Sequence, residues 1–304
     1  MKVIVTGGAG FIGSFTIQKL LKLNYEVTIL DNLSTGNKDT ISPAVRFVQG
    51  DINDLDLHIK LKDSQFDAII HLAAQTSVPM SIENPEFDAL QNIQGTINIL
   101  NVARKIGIKK IVFSSSAAVY GDQIDLPIQE RYYTEPTSPY GISKLAGEQY
   151  IKTFCEANNI SYSILRYANV YGPKQSDLGE GGVVKIFIDY LMKNKKLVVF
   201  GDGTQTRDFV YVKDIAAANV KALNAPSDIY NVSSGREVSI NELILNIEKA
   251  IGKKLELSYE KARSGDIYRS CLDNKRISDS LSWSINYSIE EGIRETINSV
   301  YQFN

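Results

Sequence analysis

Short apolar runs alternate along the first half of the chain with longer stretches whose apolar positions recur every three or four residues. Val3–Val5, Tyr25–Leu30, Val45–Gln49, Ala68–Leu72, Lys110–Phe113 and Ile160–Leu165 read as strands. Between them lie helical patterns. One begins near Phe11 with Ile12, Phe15, Leu20 and Leu23 on its buried face, and another spans Pro85–Ile106 with Leu90, Ile93, Ile97, Leu100 and Ile106 on overlapping faces. A third opens at Tyr140-Gly141-Ile142-Ser143-Lys144 and runs to about Ala157. Alternation of strand and helix predicts an α/β fold: a parallel, doubly wound sheet with right-handed crossovers and its ligand at the carboxyl ends of the strands. Beyond Arg166 the texture changes, because Gly172-Pro173, Gly179, Gly181-Gly182 and Gly201-Asp202-Gly203 interrupt shorter elements. Residues 1–168 are therefore expected to form the first domain, with 209–224 returning to it, and residues 169–304 mainly a second, smaller α+β substrate domain. Asp214–Leu223 reads as a helix, and Ser239-Ile240-Asn241-Glu242 starts another that reaches about Ile251.

The first strand breaks into Gly7, Gly8, Gly10 and Gly13. The early glycines let the chain reverse with positive φ, Gly10 lets a pyrophosphate approach the backbone, and Gly13 lets the helix pack close to the strand. A diphosphate would rest on the free N–H groups and positive dipole end of the helix, at Gly10, Phe11, Ile12 and Gly13. The second strand ends in Asp31, placed to hold adenosine ribose hydroxyls and to repel a 2′-phosphate, which favours NAD over NADP. Asp31 could equally cap the loop Asn32-Leu33-Ser34-Thr35-Gly36. Asn32, Ser34, Thr35 and Gly36 of that loop are expected to join it in the cofactor site. Asp51 and Ile52, after the third strand, would meet adenine, and Leu72, Ala73 and Ala74, after the fourth, complete the site.

Composition adds mainly exclusions. The chain of 304 residues carries a formal net charge of −2, which offers nothing to a nucleic acid or an anionic membrane. Met1-Lys2 runs straight into a strand, and no apolar stretch approaches the roughly 18 residues of a membrane span, so a cytoplasmic protein is expected. Cys155 and Cys271 have neither Cys-x-x-Cys spacing nor a nearby histidine cluster, and both read as structural. His71 lies within an apolar run and reads as a hydrogen-bonded core histidine. With His58 the only other histidine, no metal site or histidine-based chemistry is expected.

The fifth strand runs into Ser114-Ser115-Ser116-Ala117-Ala118-Val119-Tyr120-Gly121, which should emerge at the ligand edge, either as part of a site or as a polar turn. Tyr140 and Lys144 stand four apart and share a helix face. An ammonium near a phenol lowers its pKa from about 10, and a cationic nicotinamide adds to the shift. The phenolate can then act as a base, with Ser116 holding the same substrate hydroxyl and Lys144 also binding the nicotinamide ribose.

Taken together, these segments resemble the extended short-chain dehydrogenase/reductase family, as do Leu165-Arg166-Tyr167-Ala168-Asn169-Val170-Tyr171-Gly172-Pro173 and the stretch Gly201–Val212. Within that family the chain is most similar to the UDP-glucose (UDP-galactose) 4-epimerases. The resemblance implies a Rossmann domain keeping NAD bound, oxidation of a UDP-sugar at C4, rotation of the 4-keto sugar and re-reduction on its other face. It implies catalytic roles for Ser116, Tyr140 and Lys144, a sugar-diphosphate contact at Asn169, diphosphate-binding arginines at Arg207 and Arg263, and a nucleotide-ribose contact at Asp266. Arg207 beside Asp208 could instead be a surface ion pair. Related dehydratases carry an Asp-Glu pair where this chain has Ala117 and Ala118, and decarboxylases keep a Glu at the second position, so neither elimination nor decarboxylation finds its groups here. Thr76 stands where many galactose epimerases have a lysine, a feature of the branch handling N-acetylated or other UDP-sugars. Ser270, four residues after Asp266, matches a position flanking the sugar's C2 side, where a small residue admits an N-acetyl group; a one-residue slip would put Arg269 or Cys271 there instead. The resemblance also implies a homodimer packed through the helices near Pro85–Ile106 and Gly141–Ala157. The alternatives are a UDP-glucuronate 4-epimerase, a sugar-nucleotide reductase, or a nucleotide-sensing regulator without turnover.

Overall fold

A computed structural model of the chain describes residues 1–38, 41–62, 65–176, 182–262 and 267–300. The predicted strands form as β1 (Lys2–Thr6), β2 (Glu26–Asp31), β3 (Arg46–Gln49), β4 (Ala68–His71), β5 (Lys110–Ser116) and β6 (Ser161–Tyr167). Shorter strands follow: β7 (Asn169–Tyr171), β8 (Leu197–Phe200), β9 (Thr206–Arg207) and β10 (Phe209–Tyr211), then β11 (Asp228–Val232), β12 (Val238–Ser239) and β13 (Leu257–Glu260). The main sheet has the order β11-β6-β5-β4-β1-β2-β3, with every neighbour parallel. The strand order reverses between β1 and β4, which opens a crevice at their carboxyl ends.

The alternation of side chains along β1 shows how the sheet is buried on both faces. Val3 and Val5 join one core with Leu20, Tyr230 and Trp283, while Ile4 points to the other with Leu30, Ile69, Ile111 and Ile164. The helix Val212–Ala222 returns to pack on Phe11–Lys22, where Asn219 Nδ2 donates to Thr16 Oγ1 at 3.1 Å. A second segment also returns, since β11 adds an outer strand beside β6. A further core, with Phe187, Leu191, Leu243 and Ile247, sits under the carboxyl-edge part of the chain and meets Phe11 and Phe15.

Three local expectations are corrected. Helix Phe11–Lys22 ends one residue before Leu23, which caps it at 51% exposure and so leaves the buried face. The fifth strand does not end at Phe113, because β5 continues through Ser116 in register with Leu165–Tyr167 of β6. The Pro85–Ile106 helix is not uniform: it runs Pro85–Ala89, widens into a π-turn at Leu90–Gln94 and resumes as Gly95–Lys105. Its buried side is also partly polar. Leu90 is exposed, while Asp88, Asn92 and Thr96, spaced one turn apart, are buried.

Candidate active site

The glycine loop forms the base of the first cleft. Gly7 adopts φ +67° and donates to Leu30 O, and a Cβ there would sit 2.8 Å from Ala73 N across the switch point. A Cβ on Gly13 would lie 2.2 Å from Gly7 O, so only glycine lets helix and turn close together. Gly10 is the N-cap of the helix and supplies no side-chain bond, which leaves the first-turn amides facing the cleft. Asp31 is buried at the β2 edge, its two oxygens accepting from Ala9 N (2.9 Å) and Leu33 N (2.8 Å). It therefore serves the loop, as its alternative reading expects, and it also lines the cleft.

This cleft is walled by Gly7, Gly10, Phe11, Ile12, Gly13, Asp31, Asn32, Ser34, Thr35, Ile52, Leu72, Ala73, Ala74, Tyr140 and Lys144, among others. Two expected residues stand just behind the wall. Gly36 lies where a Cβ would meet Ala9 Cβ at 2.8 Å. Asp51 is occupied by Asn32 Nδ2 at 2.8 Å and by the Asn53 backbone at 2.9 Å. Burial works to raise the Asp51 carboxyl, but these hydrogen bonds prevail and hold it below its ordinary value. The same wall contains Gln91 and Tyr167, which local reading missed.

Tyr140 and Lys144 enter from the helix Pro139–Ala157, whose start is set by Pro139 at the first position and by Ser138, which accepts from Gly141 N at 3.1 Å. Glycines bring that helix onto its neighbours: a Cβ on Gly141 would meet Ala118 O at 2.6 Å, and one on Gly147 the Phe113 ring at 2.7 Å. Lys144 is buried, donates from Nζ to Ser114 O at 3.0 Å, and lies 5.9 Å from the Tyr140 ring centroid. Burial pulls its ammonium down to about 8, and the carboxylates of Asp88 and Glu148 oppose that pull. Ser116 caps a short turn by accepting from Ala118 N at 3.2 Å. His71 is the core histidine expected: its ring nitrogens face Thr6 Oγ1 (2.7 Å) and Thr96 Oγ1 (3.2 Å), and burial, together with nearby Lys144, pushes it down to about 3.

A second cleft adjoins the first, and Thr76, Tyr140 and Tyr167 line both. Ser116, Ala117, Ala118, Asn169, Arg207 and Ser270 line it, so the residues expected on the sugar side converge. Arg263 and Asp266 lie outside the described residues. Asp208 is fully buried, which removes the surface-pair reading of its neighbour Arg207. Its carboxylate accepts from Ser234 N, Ser234 Oγ, Gly235 N and Leu272 N at 2.7–3.2 Å, tying β10, the turn after β11 and the segment carrying Ser270 into one piece. Burial raises this carboxyl to about 6 against those bonds. Among the described residues no group of three or more His, Cys, Asp or Glu is placed to hold a metal, and no helix is long and apolar enough to cross a membrane.

A nucleotide crevice at a topological switch point, opening onto a second cleft across a buried lysine and a tyrosine, defines a dinucleotide-dependent enzyme of the doubly wound class. The chain belongs to the NAD-dependent epimerase/dehydratase family, whose pattern matches residues 3–233. A Methanocaldococcus jannaschii protein, provisionally named a UDP-glucose 4-epimerase, is 50% identical over 297 residues, 97% of each chain. Among solved structures, a UDP-glucose 4-epimerase of Thermotoga maritima with UDP-glucose superposes with a TM-score of 0.94 at 37% identity, covering 98% of both chains. A UDP-N-acetylglucosamine 4-epimerase of Methanobrevibacter ruminantium in complex with UDP-N-acetylmuramic acid gives 0.93 at 36% identity, covering 98% of this chain and 97% of that one.

Proposed function

We propose that the protein is a UDP-hexose 4-epimerase that keeps NAD bound. The observation that carries this reading is Tyr140, a shared wall of the nucleotide cleft and the second cleft, with Lys144 Nζ 5.9 Å from its ring centroid and Ser116 lining the second cleft with it. The glycine cradle and uncapped helix start suit a dinucleotide diphosphate, and Asp31 suits an unphosphorylated ribose. When bound, NAD supplies a reversible hydride acceptor for the sugar's C4 carbon. Tyr140, as phenolate, takes the O4 proton while the C4–O4 bond becomes a carbonyl, and returns the proton when the C4–H bond re-forms on the opposite face. Ser116 holds O4 in line, and Lys144 keeps the phenolate favourable. Asn169, Arg207 and Arg263 engage the sugar diphosphate, Asp266 engages the nucleotide ribose, and Ala117 and Ala118 leave no acid–base pair for water loss. The substrate-binding part on this reading is mainly residues 169–304.

The small side chain of Ser270 in the second cleft supports acceptance of N-acetylhexosamine forms beside UDP-galactose and UDP-glucose. Incubation with all four UDP-sugars tests the function: the C4 epimer is the expected product, and water loss, carbon dioxide loss or net consumption of reduced cofactor contradicts it. We also propose a homodimer. The helices Val78–Glu83, Pro85–Ala89 and Pro139–Ala157 pack together and expose Met80, Ile82, Phe87, Ile142 and Tyr150, with Leu90 of the adjoining π-turn also exposed. Sedimentation as a monomer at micromolar concentration contradicts the dimer. The free, buried Cys155 and Cys271 suit the reducing cytoplasm in which we place the enzyme.

A further inference from the structure

The start of the helix Pro139–Ala157 can be accounted for donor by donor. An α-helix leaves the amides of its first turn without partners of its own. Here the first position is Pro139, which has no N–H, and Gly141 N at the third donates to Ser138 Oγ at 3.1 Å. The amide left over is that of Tyr140. Its partner comes from another helix: Tyr140 N donates to Ser81 Oγ at 3.1 Å, across 59 residues of sequence. The Tyr140 carbonyl is engaged as well, accepting from Ser143 Oγ at 3.0 Å.

Ser81 belongs to the short helix Val78–Glu83 and is its one buried residue, with no exposure at all, while the other five are exposed. A helix that meets the interior through a single residue would ordinarily present an apolar one there, and this helix presents a hydroxyl. The hydroxyl proton is committed, because Ser81 Oγ donates to Val78 O at 2.7 Å, so toward Tyr140 the oxygen can only accept. The helix is itself anchored at the clefts. It follows Thr76, which lines both of them, and its first residue, Val78, lines the second. Its N-cap Ser77 accepts from Met80 N at 3.3 Å, and Gln75 Nε2 holds Ser77 O at 3.0 Å. The wall at Thr76–Val78 and the backbone of Tyr140 are thus joined through Ser81.

We propose that Ser81 is a positioning residue for Tyr140: by taking the first-turn amide that Pro139 and Ser138 leave over, it fixes the backbone from which the phenol reaches the junction of the two clefts. The inference rests on the reading of Tyr140 as the proton-transfer residue, but its test requires no turnover. Ser81→Ala removes the acceptor and changes no charge, so a change in the acidity of Tyr140 reads a change in its place. Lys144 on the same helix, its Nζ 5.9 Å from the ring centroid, and Tyr167 of β6, which burial keeps protonated, stand beside the phenol. The NAD-bound protein is labelled with ¹³C at tyrosine Cζ, the Tyr140 resonance is assigned by its loss in Tyr140→Phe, and its shift is followed against pH. With the amide released the first turn loosens and the phenol spends time away from the ammonium, so in Ser81→Ala the Tyr140 midpoint should rise by at least about half a pH unit. Ser81→Cys, close in size and a poor acceptor, carries the same expectation if the alanine variant does not fold. An unchanged midpoint in a folded, NAD-retaining variant overturns the inference, whereas failure to form a C4 epimer overturns the function and leaves this titration standing.

Discussion

The two clefts that meet at Tyr140 are built in different ways. The nucleotide cleft is lined by the ends of consecutive strands and the turns that follow them, Gly7–Gly13 after β1, Asp31–Thr35 after β2, Leu72–Ala74 after β4 and Ser114–Ser115 in β5. Parallel topology alone brings those segments together, so the cleft follows from the sheet. The second cleft draws on Ser116–Ala118, Asn169–Tyr171, Val183–Val184, Arg207 and Ile267–Ser270, which no single sheet unites. There the organiser is a buried side chain, Asp208, whose four backbone and hydroxyl donors come from segments far apart in sequence. Cofactor binding can therefore be inherited with the fold, while substrate choice is set by distant segments that can change one at a time.

That contrast can be broken at three points, in descending order of effect. Tyr140 belongs to both clefts, so Tyr140→Phe should lower turnover by about 10²- to 10⁴-fold while NAD and UDP-sugar binding persist, measured by steady-state rates beside ligand titration. Unchanged turnover removes Tyr140 as the base. Gly13→Ala acts on the nucleotide side alone, forcing a methyl against Gly7 O and the Gly8 backbone. It should cost about 1–3 kcal/mol of stability and strip the protein of retained NAD, read from thermal melts and from nucleotide released on denaturation. Ser270→Tyr acts on the second cleft alone and on one class of substrate: it should abolish epimerisation of the N-acetylhexosamine forms and spare UDP-galactose. Equal effects on both would show that Ser270 is not the gate.

The same contrast explains what could be read from sequence. The glycine loop, Asp31 and the Tyr140–Lys144 face are local patterns whose partners sit within a few residues or at the next strand end, and the structure places each of them on the cleft wall. Leu23 was misplaced because the apolar spacing continues past the residue where the helix ends. The stripe Asp88, Asn92, Thr96 was passed over because a polar row at helical spacing has the pattern of a solvent-facing side. What betrays it is that the apolar residue beside it, Leu90, is the one left outside. Asp208 carries no local signal at all, since its donors lie 26 to 64 residues away.

The most direct test of the account is to run UDP-galactose to equilibrium in D₂O and examine C4 of the UDP-glucose formed. Oxidation and re-reduction through a retained cofactor returns the substrate's own hydrogen, so the C4 epimer should appear with protium at C4 and with solvent deuterium only on its exchangeable hydroxyls. Deuterium at C4 would mean that a proton, and not a hydride, leaves carbon, and the absence of the C4 epimer would contradict the account altogether.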